Sequence, residues 1–306
     1  MTASPQPSVA KREVGLAQLS LLDTAPPDLV LIAAEAGFDF IGARVRPVTR
    51  TERKYDLSPG SPMLAETLAN VRSTGVRVLD TEFLLIDGTN GAGAPASPDA
   101  ARGRADGQRD AWLPMLEAAR ALGAETLTVA AADPDPVRFA ETLALLAEDG
   151  REFGITPTLE PISYQRINSL ASAAAAARAA GARVVVDTLH FRRFGGALEE
   201  LAAMADLVPM LQLCDAPAAR PADREGLIHE SRAARLAPGE GGLNLAEIVA
   251  ALPSGTPVSV EAPSPADVVR LGELGWARHL KRAADRVLEE AHTLIPSSAE
   301  SNGATR

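Results

Sequence analysis

A chain of 306 residues, 46% of them hydrophobic and only 4% aromatic, can bury one large core built of Ala, Leu and Val rather than of rings. Its formal charge of −10 and the absence of a long basic run exclude a nucleic-acid groove or an anionic membrane surface as partner, and no apolar stretch is long enough to span a bilayer. The single cysteine, Cys214, excludes an intrachain disulfide, and MTASPQPSVAKR at the start has no apolar signal core, so the expectation is a cytoplasmic protein with a small-molecule ligand.

Residues 1–12 and 296–306 carry too little apolar surface to offset the entropy of ordering them, and read as disordered tails around one catalytic domain at 13–295. Within that domain strand and helix patterns alternate. VGLAQLSLL (14–22) reads as the first strand, and PPDLVLIAAEAG (26–37) as a helix with prolines in its first turn and Gly37 at its end. FDFIGARV, VRVLDTEFLLI, ETLTVAA and ITPTLE supply strands two to five. The helices between them read at 62–75, 109–123 and 135–154, the second following a loop at 87–108 rich in Gly, Ala and Pro. An Ala-rich helix ends at Gly181, and ARVVVD, LVPMLQL and TPVSVE complete the strands, with helices at 196–205, 244–252 and 265–293.

Eight strand-helix units predict an α/β fold with a parallel sheet, and eight is the number that closes a (β/α)8 TIM barrel. A doubly wound open sheet would need a glycine fingerprint after its first strand, and QLSLLDTAPPDL offers nothing to cradle a pyrophosphate.

The second half carries the chemistry. TPTLEP, VVVDTLH, LQLCDAP and VSVEAP each end a strand on an oxygen-bearing side chain, Glu160, Asp187, Gln212 and Glu261. Period-2 alternation turns all four toward one rim if the strands are neighbours in a closed barrel. Any one of these acids alone serves as readily to cap the following helix. Together they offer a hard divalent cation three carboxylates and one amide, an all-oxygen set that suits Mn2+ or Mg2+ and, less well, Co2+ or Zn2+. Three carboxylates around a dication leave a charge near −1, so Glu160 and Glu261 can remain basic while acting as ligands and serve as a base and acid pair.

Other candidates surround this set. His190, three residues past Asp187, is placed to donate to a substrate oxygen or to orient a ligand. Arg235 in RLAPGEGG sits on a loop stiffened by Gly and Pro and suits a carboxylate, a phosphate or a sugar hydroxyl. Arg44 and Glu82 near the ends of strands two and three, and Gln18 inside strand one, are further candidates for substrate binding, although core polar pairing accounts for them as well. Cys214 reads as a buried structural thiol. Lysines occur only at positions 11, 54 and 281, so no barrel strand offers a Schiff-base lysine.

GLAQLSLLD, AAEAGFDFIGARV, LEP, DTLH, LQLCDAP, RLAPGEGGLNL and VEAP, taken in this order over about residues 14–293, resemble the xylose isomerase-like TIM barrels that include sugar phosphate isomerases and epimerases. The resemblance implies a divalent metal held by Glu160, Asp187, Gln212 and Glu261. It also implies an isomerase or epimerase of a sugar, ketose or related polyol that moves a proton next to a carbonyl through an enediolate. The family's usual residue at the strand-seven position is His, and this chain has Gln. Gln occurs there in branches that resemble dehydratases of cyclic keto-acids, so a 3-dehydroshikimate dehydratase-like lyase is the alternative, followed by a non-catalytic barrel. The apurinic-site endonuclease branch depends on a histidine-rich zinc cluster and a basic groove, which four histidines and an acidic chain do not supply. The expected partner is a small carbohydrate or polyol, with neither nucleic acid nor membrane, and a homo-oligomer is compatible with everything above.

Overall fold

The computed structural model describes residues 12–88 and 109–294, so the expected tails, except for Arg12, which donates to the carbonyls of Val249, Leu252 and Thr256, and most of the loop at 87–108 lie outside the described residues. Nine parallel strand segments form one sheet: β1 (Val14–Leu16), β2 (Phe40–Arg44), β3 (Arg77–Ile86), β4 (Thr126–Ala131), β5 (Thr156–Glu160), β6 (Arg183–Val184), β7 (Val186–Asp187), β8 (Leu211–Leu213) and β9 (Val258–Val260). Their order is β6-β5-β4-β3-β2-β1-β9-β8-β7. The terminal segments β6 and β7 are two halves of the expected sixth strand, interrupted at Val185. One half pairs with β5 and the other with β8, so the chain itself completes a nearly closed TIM barrel.

The helices on the outside start and stop where their sequences direct. Prolines occupy the first turns of α1 (Pro26–Ala36), α2 (Pro62–Thr74), α3 (Leu113–Leu122) and α4 (Pro136–Phe153), where a missing N–H costs nothing. Those four, and the Ala-rich α5 (Leu170–Ala180), end on a left-handed glycine. After β7 the chain forms α6 (Thr188–Arg193), then α7 (Leu198–Ala203), α8 (Arg224–Ala233), α9 (Leu245–Ala250), α10 (Pro265–Leu271) and α11 (Glu273–Leu294). The single helix expected at 265–293 is thus two, divided at Gly272 with φ of 72°. Gln18, expected inside the first strand, instead lies in a 3-10 turn at Gln18–Leu21 that follows β1.

The barrel interior is layered. Phe40, Leu79, Val185 and Met210 form a small apolar plug separate from the main core. Gly15 makes room for it, since a Cβ there would lie 2.0 Å from the Phe40 ring. A polar layer contains Asp80, which accepts from Thr126 Oγ1 at 2.8 Å and Thr128 Oγ1 at 3.0 Å. Burial, then the neighbouring Glu82, pushes the Asp80 carboxyl well above the ordinary range. No helix among the described residues is long and apolar enough to cross a membrane.

Candidate active site

At the C-terminal ends of the strands a cavity of about 430 Å³ is lined by Arg44, Glu82, Glu160, His190, Gln212, Arg235 and Glu261, among others. This is the face on which TIM barrels assemble their sites, because the loops after the strands converge there. Glu160 closes β5, Asp187 closes β7, Gln212 is central in β8, and Glu261 follows β9 by one residue. Register ties them together: Asp187 pairs with Gln212, and Gln212 with Ser259, two residues before Glu261. All four are at least 95% buried.

One carboxylate oxygen from each of Glu160, Asp187 and Glu261 lies within 4.8 Å of the other two. Gln212 Nε2 donates to Glu261 Oε1 at 3.0 Å, which leaves Gln212 Oε1 buried and without a hydrogen-bond partner. Asp187 divides its two oxygens. Oδ1 caps α6 by accepting from the N–H groups of Leu189 and His190, while Oδ2 accepts from Arg235 Nη1 at 2.5 Å. The capping role and the site role considered for this acid therefore coexist in one side chain.

Arg235 is buried inside the acidic cluster. Besides Asp187, its Nη1 donates to the Glu261 carbonyl at 2.9 Å and stands 3.1 Å from Glu261 Oε2, and its Nε donates to the Ser231 carbonyl. Cys214 Sγ lies 3.4 Å from Arg235 Nη1, and its thiol is pushed up to about 12 by burial, so it is inert at neutral pH.

The electrostatics follow from crowding. Burial raises Glu160 well above the ordinary carboxyl range, and the charges of Glu261 and Asp187 raise it further. Glu261 is pushed up to about 8 by burial, with Arg235 opposing. Burial also works against Asp187, but Arg235 and His190 outweigh it and hold that carboxyl below its usual value. His190 is lowered to about 4 by burial and so is neutral at physiological pH. Its Nδ1 meets Ser163 Oγ at 3.2 Å, its Nε2 faces Glu160 Oε1 at 3.7 Å, and the Tyr164 ring meets it edge-on.

These residues fit a divalent cation on two counts. A buried carbonyl oxygen with no partner costs about 1–3 kcal/mol, and Gln212 Oε1 is such an atom next to the three carboxylates. Arg235 neutralises only one of three clustered acids, and a dication with that guanidinium would bring the set close to neutrality.

Across the barrel stand Arg44 and Glu82. Their Nη2 and Oε2 atoms are 3.4 Å apart, both side chains are at most 5% exposed, and Arg44 Nε and Glu82 Oε1 have no hydrogen-bond partner. Gln18 does not reach the cavity lining. Its Oε1 accepts from the Arg44 backbone N–H at 2.7 Å and its Nε2 donates to the Thr24 carbonyl, so both ends of the amide are spent on holding backbone.

Sequence reasoning missed the groups that roof the pocket. Tyr164 and Gln165 come from the loop after β5, Ser231 and Arg232 from α8, and Val48, Thr49, Thr51 and Glu52 from the loop after β2. Tyr164 Oη and Ser231 Oγ meet at 2.8 Å. Only the position of Tyr164, four residues beyond Glu160, could have drawn notice to any of them.

A family model described as xylose isomerase-like TIM barrel matches residues 30–287. The chain belongs to this family. Among solved structures, a xylose isomerase-like TIM barrel/4-hydroxyphenylpyruvate dioxygenase fusion protein aligns with a TM-score of 0.72 at 19% identity over 94% of this chain. This chain spans only 45% of that fusion protein. The IolI protein with a bound zinc atom aligns at 0.67 and 17% identity, over 91% of this chain and 99% of its own. The probable 3-DHS dehydratase AsbF of Bacillus anthracis aligns at 0.64 and 12% identity, over 89% of this chain and 98% of its own. Similarity at these identities establishes the fold and leaves the reaction to the site residues. No curated protein matches the chain.

Proposed function

We propose that this barrel is a divalent-metal-dependent isomerase or epimerase acting on a ketose, sugar or related polyol by proton transfer next to a carbonyl. The observation that carries the reading is the cluster of Glu160, Asp187 and Glu261 beside the unpaired carbonyl oxygen of Gln212. Glu160, Asp187, Gln212 and Glu261 would hold the ion, with Mn2+ or Mg2+ favoured by the all-oxygen donors. When bound, the cation supplies stabilisation for the negative charge that develops on the substrate oxygen as the proton leaves.

The remaining work falls to side chains. Glu160 and Glu261 stand at the two ends of an arc made by β5, β7, β8 and β9, so a substrate seated between them has one carboxyl on each flank. One removes the proton and the other returns one to the neighbouring carbon or to the opposite face. Arg235 keeps Asp187 ionised and braces Glu261, which fixes the geometry of the arc. Neutral His190, behind Glu160, donates a hydrogen bond to a substrate oxygen.

The second reading uses the same site for elimination. His190 Nε2 lies 3.7 Å from Glu160 Oε1, so Glu160 can take the proton from carbon and pass it to the leaving hydroxyl, with neutral His190 hydrogen-bonding that oxygen, as the C–O bond breaks and water is released. The structural likeness to a probable 3-DHS dehydratase supports this alternative.

One experiment separates the two readings and tests the metal. The purified chain is stripped with a chelator, reloaded with Mn2+, Mg2+, Co2+ or Zn2+, and incubated with ketoses and cyclic keto-acids in deuterated water under NMR. Deuterium appearing at the carbon next to the carbonyl, dependent on the added metal, supports isomerisation. Loss of water supports the lyase. Full activity of verified metal-free protein would remove metal dependence from both.

A further inference from the structure

The Arg44–Glu82 pair stands opposite the acidic cluster and is incomplete. Arg44 has five guanidinium N–H groups to place. Its side chain has the 3.4 Å contact to Glu82, the face of Phe83 at 5.9 Å to the ring centroid, and an electrostatic attraction to Glu261. Nε is buried without a partner, and so is Glu82 Oε1. A guanidinium and a carboxylate that merely stabilised the barrel would close on each other with two parallel hydrogen bonds. Here the fork is held open. Gln18 fixes the Arg44 backbone, and Gly42 admits the Glu82 carboxylate, since a Cβ at that glycine would lie 2.9 Å from Oε1.

We propose that Arg44 and Glu82 form a subsite for substrate hydroxyl groups on the side of the cavity facing the metal cluster, and that this subsite selects a neutral polyol end over a carboxylate or a phosphate. The inference deepens the reading of the site as one for a sugar or polyol, and rests on it. A hydroxyl both donates and accepts, so one hydroxyl, or two on adjacent carbons, gives Glu82 Oε1 its donor and Arg44 Nε its acceptor. An anionic group would satisfy Arg44 and leave Glu82 Oε1 orphaned beside a like charge. The wider lining adds the acids Asp23 and Glu52 and one further cation, Arg232, while Arg44 already has an acidic partner. Burial raises the Glu82 carboxyl above its ordinary range, and the Arg44 guanidinium opposes that rise. Leu19, Phe83, Leu85 and Ile162 give the cavity apolar walls along which a carbon skeleton can lie between the two polar ends.

The test uses ligands that cannot react. Xylitol, xylonate and xylitol 5-phosphate share a five-carbon skeleton and differ at one end, and none has a ketone. Their dissociation constants are measured by calorimetry on the metal-loaded chain and on Glu82→Gln, Arg44→Met and Arg44→Lys, with thermal unfolding as a folding check. The parent should bind xylitol at least about tenfold more tightly than either anion, taking one well-placed polar pair as 1.4 kcal/mol. Glu82→Gln keeps the shape and removes the charge, so xylonate should gain on xylitol by about tenfold or more. Arg44→Met should weaken xylitol by a similar factor. If that variant does not fold, Arg44→Lys, which keeps the charge but loses the fork, should still weaken xylitol severalfold. A parent that prefers xylonate or the phosphate overturns the proposal, as does an unchanged xylitol-to-xylonate ratio in Glu82→Gln. Deuterium exchange into ketoses is recorded on the same proteins. Exchange without the selectivity change sinks the subsite alone, whereas the selectivity change without exchange or elimination sinks the proton-transfer reading alone.

Discussion

Gln212 and the two flanking glutamates carry separable roles at the scale of single residues. The Gln212 amide already donates to Glu261, so what it offers an ion is its unpaired Oε1. Gln212→Leu removes that atom at similar bulk and should weaken metal binding about 10- to 100-fold, the range seen when a supporting group is lost. Gln212→His supplies a nitrogen of similar reach and should keep metal while shifting preference toward Zn2+ or Co2+. Titration of both variants with each metal checks this, and unchanged affinity in the Leu variant would place Gln212 outside the coordination set. Glu160→Gln and Glu261→Gln test the acid and base pair. Each should cost roughly a hundredfold or more in turnover even at saturating metal, because an amide cannot move the proton. Rescue of either variant to near the parent rate by excess metal would reduce that residue to a ligand.

Elements matter here because the site is assembled from several of them and locked by one buried ion pair. Arg193, at the end of α6, donates through Nε and Nη2 to both oxygens of Glu230 on α8 and also to the Pro217 carbonyl. This latch sets α8, whose C-terminal turn carries Ser231 and leads to Arg235. Removing one member of a buried pair leaves the other uncompensated, so Arg193→Met should destabilise the protein by about 3–5 kcal/mol and loosen substrate binding as well. The double variant Arg193→Met, Glu230→Leu should recover most of the stability in chemical denaturation; a double variant as unstable as the single would deny the pairing its stated role. This latch was invisible in the sequence because it joins residues 37 apart with no periodic relation. The strand ends were legible for the opposite reason. Alternation and a repeated strand-helix unit place Glu160, Asp187, Gln212 and Glu261 from local pattern alone, and prolines and glycines announced the helix termini. What could not be read was local departure from the pattern. The break at Val185 exists because one half of that strand pairs with β5 and the other with β8, and Gln18 leaves the strand because its amide has backbone to hold. Long-range pairing decides both.

Across the whole molecule the barrel concentrates buried acids in its interior, and that arrangement ties stability to pH and to metal. Glu261 titrates near 8 in the folded metal-free chain, well above a carboxyl in an unfolded one, so between those values the folded state holds a proton that the unfolded state has released. Stability from this source is complete at low pH and is lost as pH rises through about 8. Asp80 and Glu160, raised for the same reason, act in the same direction. His190 works oppositely, since its lowered value near 4 leaves it neutral in the fold while an unfolded histidine still binds a proton up to about 6.5. The two effects overlap below that value, and above it only the carboxyls still respond. The metal-free protein should therefore lose stability, and melting temperature with it, as pH rises from about 6.5 to about 8, by up to about 1.4 kcal/mol per pH unit for each proton released. Added metal should reverse the trend, because the cation competes with those protons and binds more tightly as they leave. Thermal unfolding across this range, with chelator and with Mn2+, reads both slopes. In Glu261→Gln the metal-free slope should flatten, since the amide has no proton to lose. A melting temperature of the metal-free parent that rises or stays level across the range would mean that these carboxyls are already ionised in the fold, and that Arg235 alone suffices to balance them.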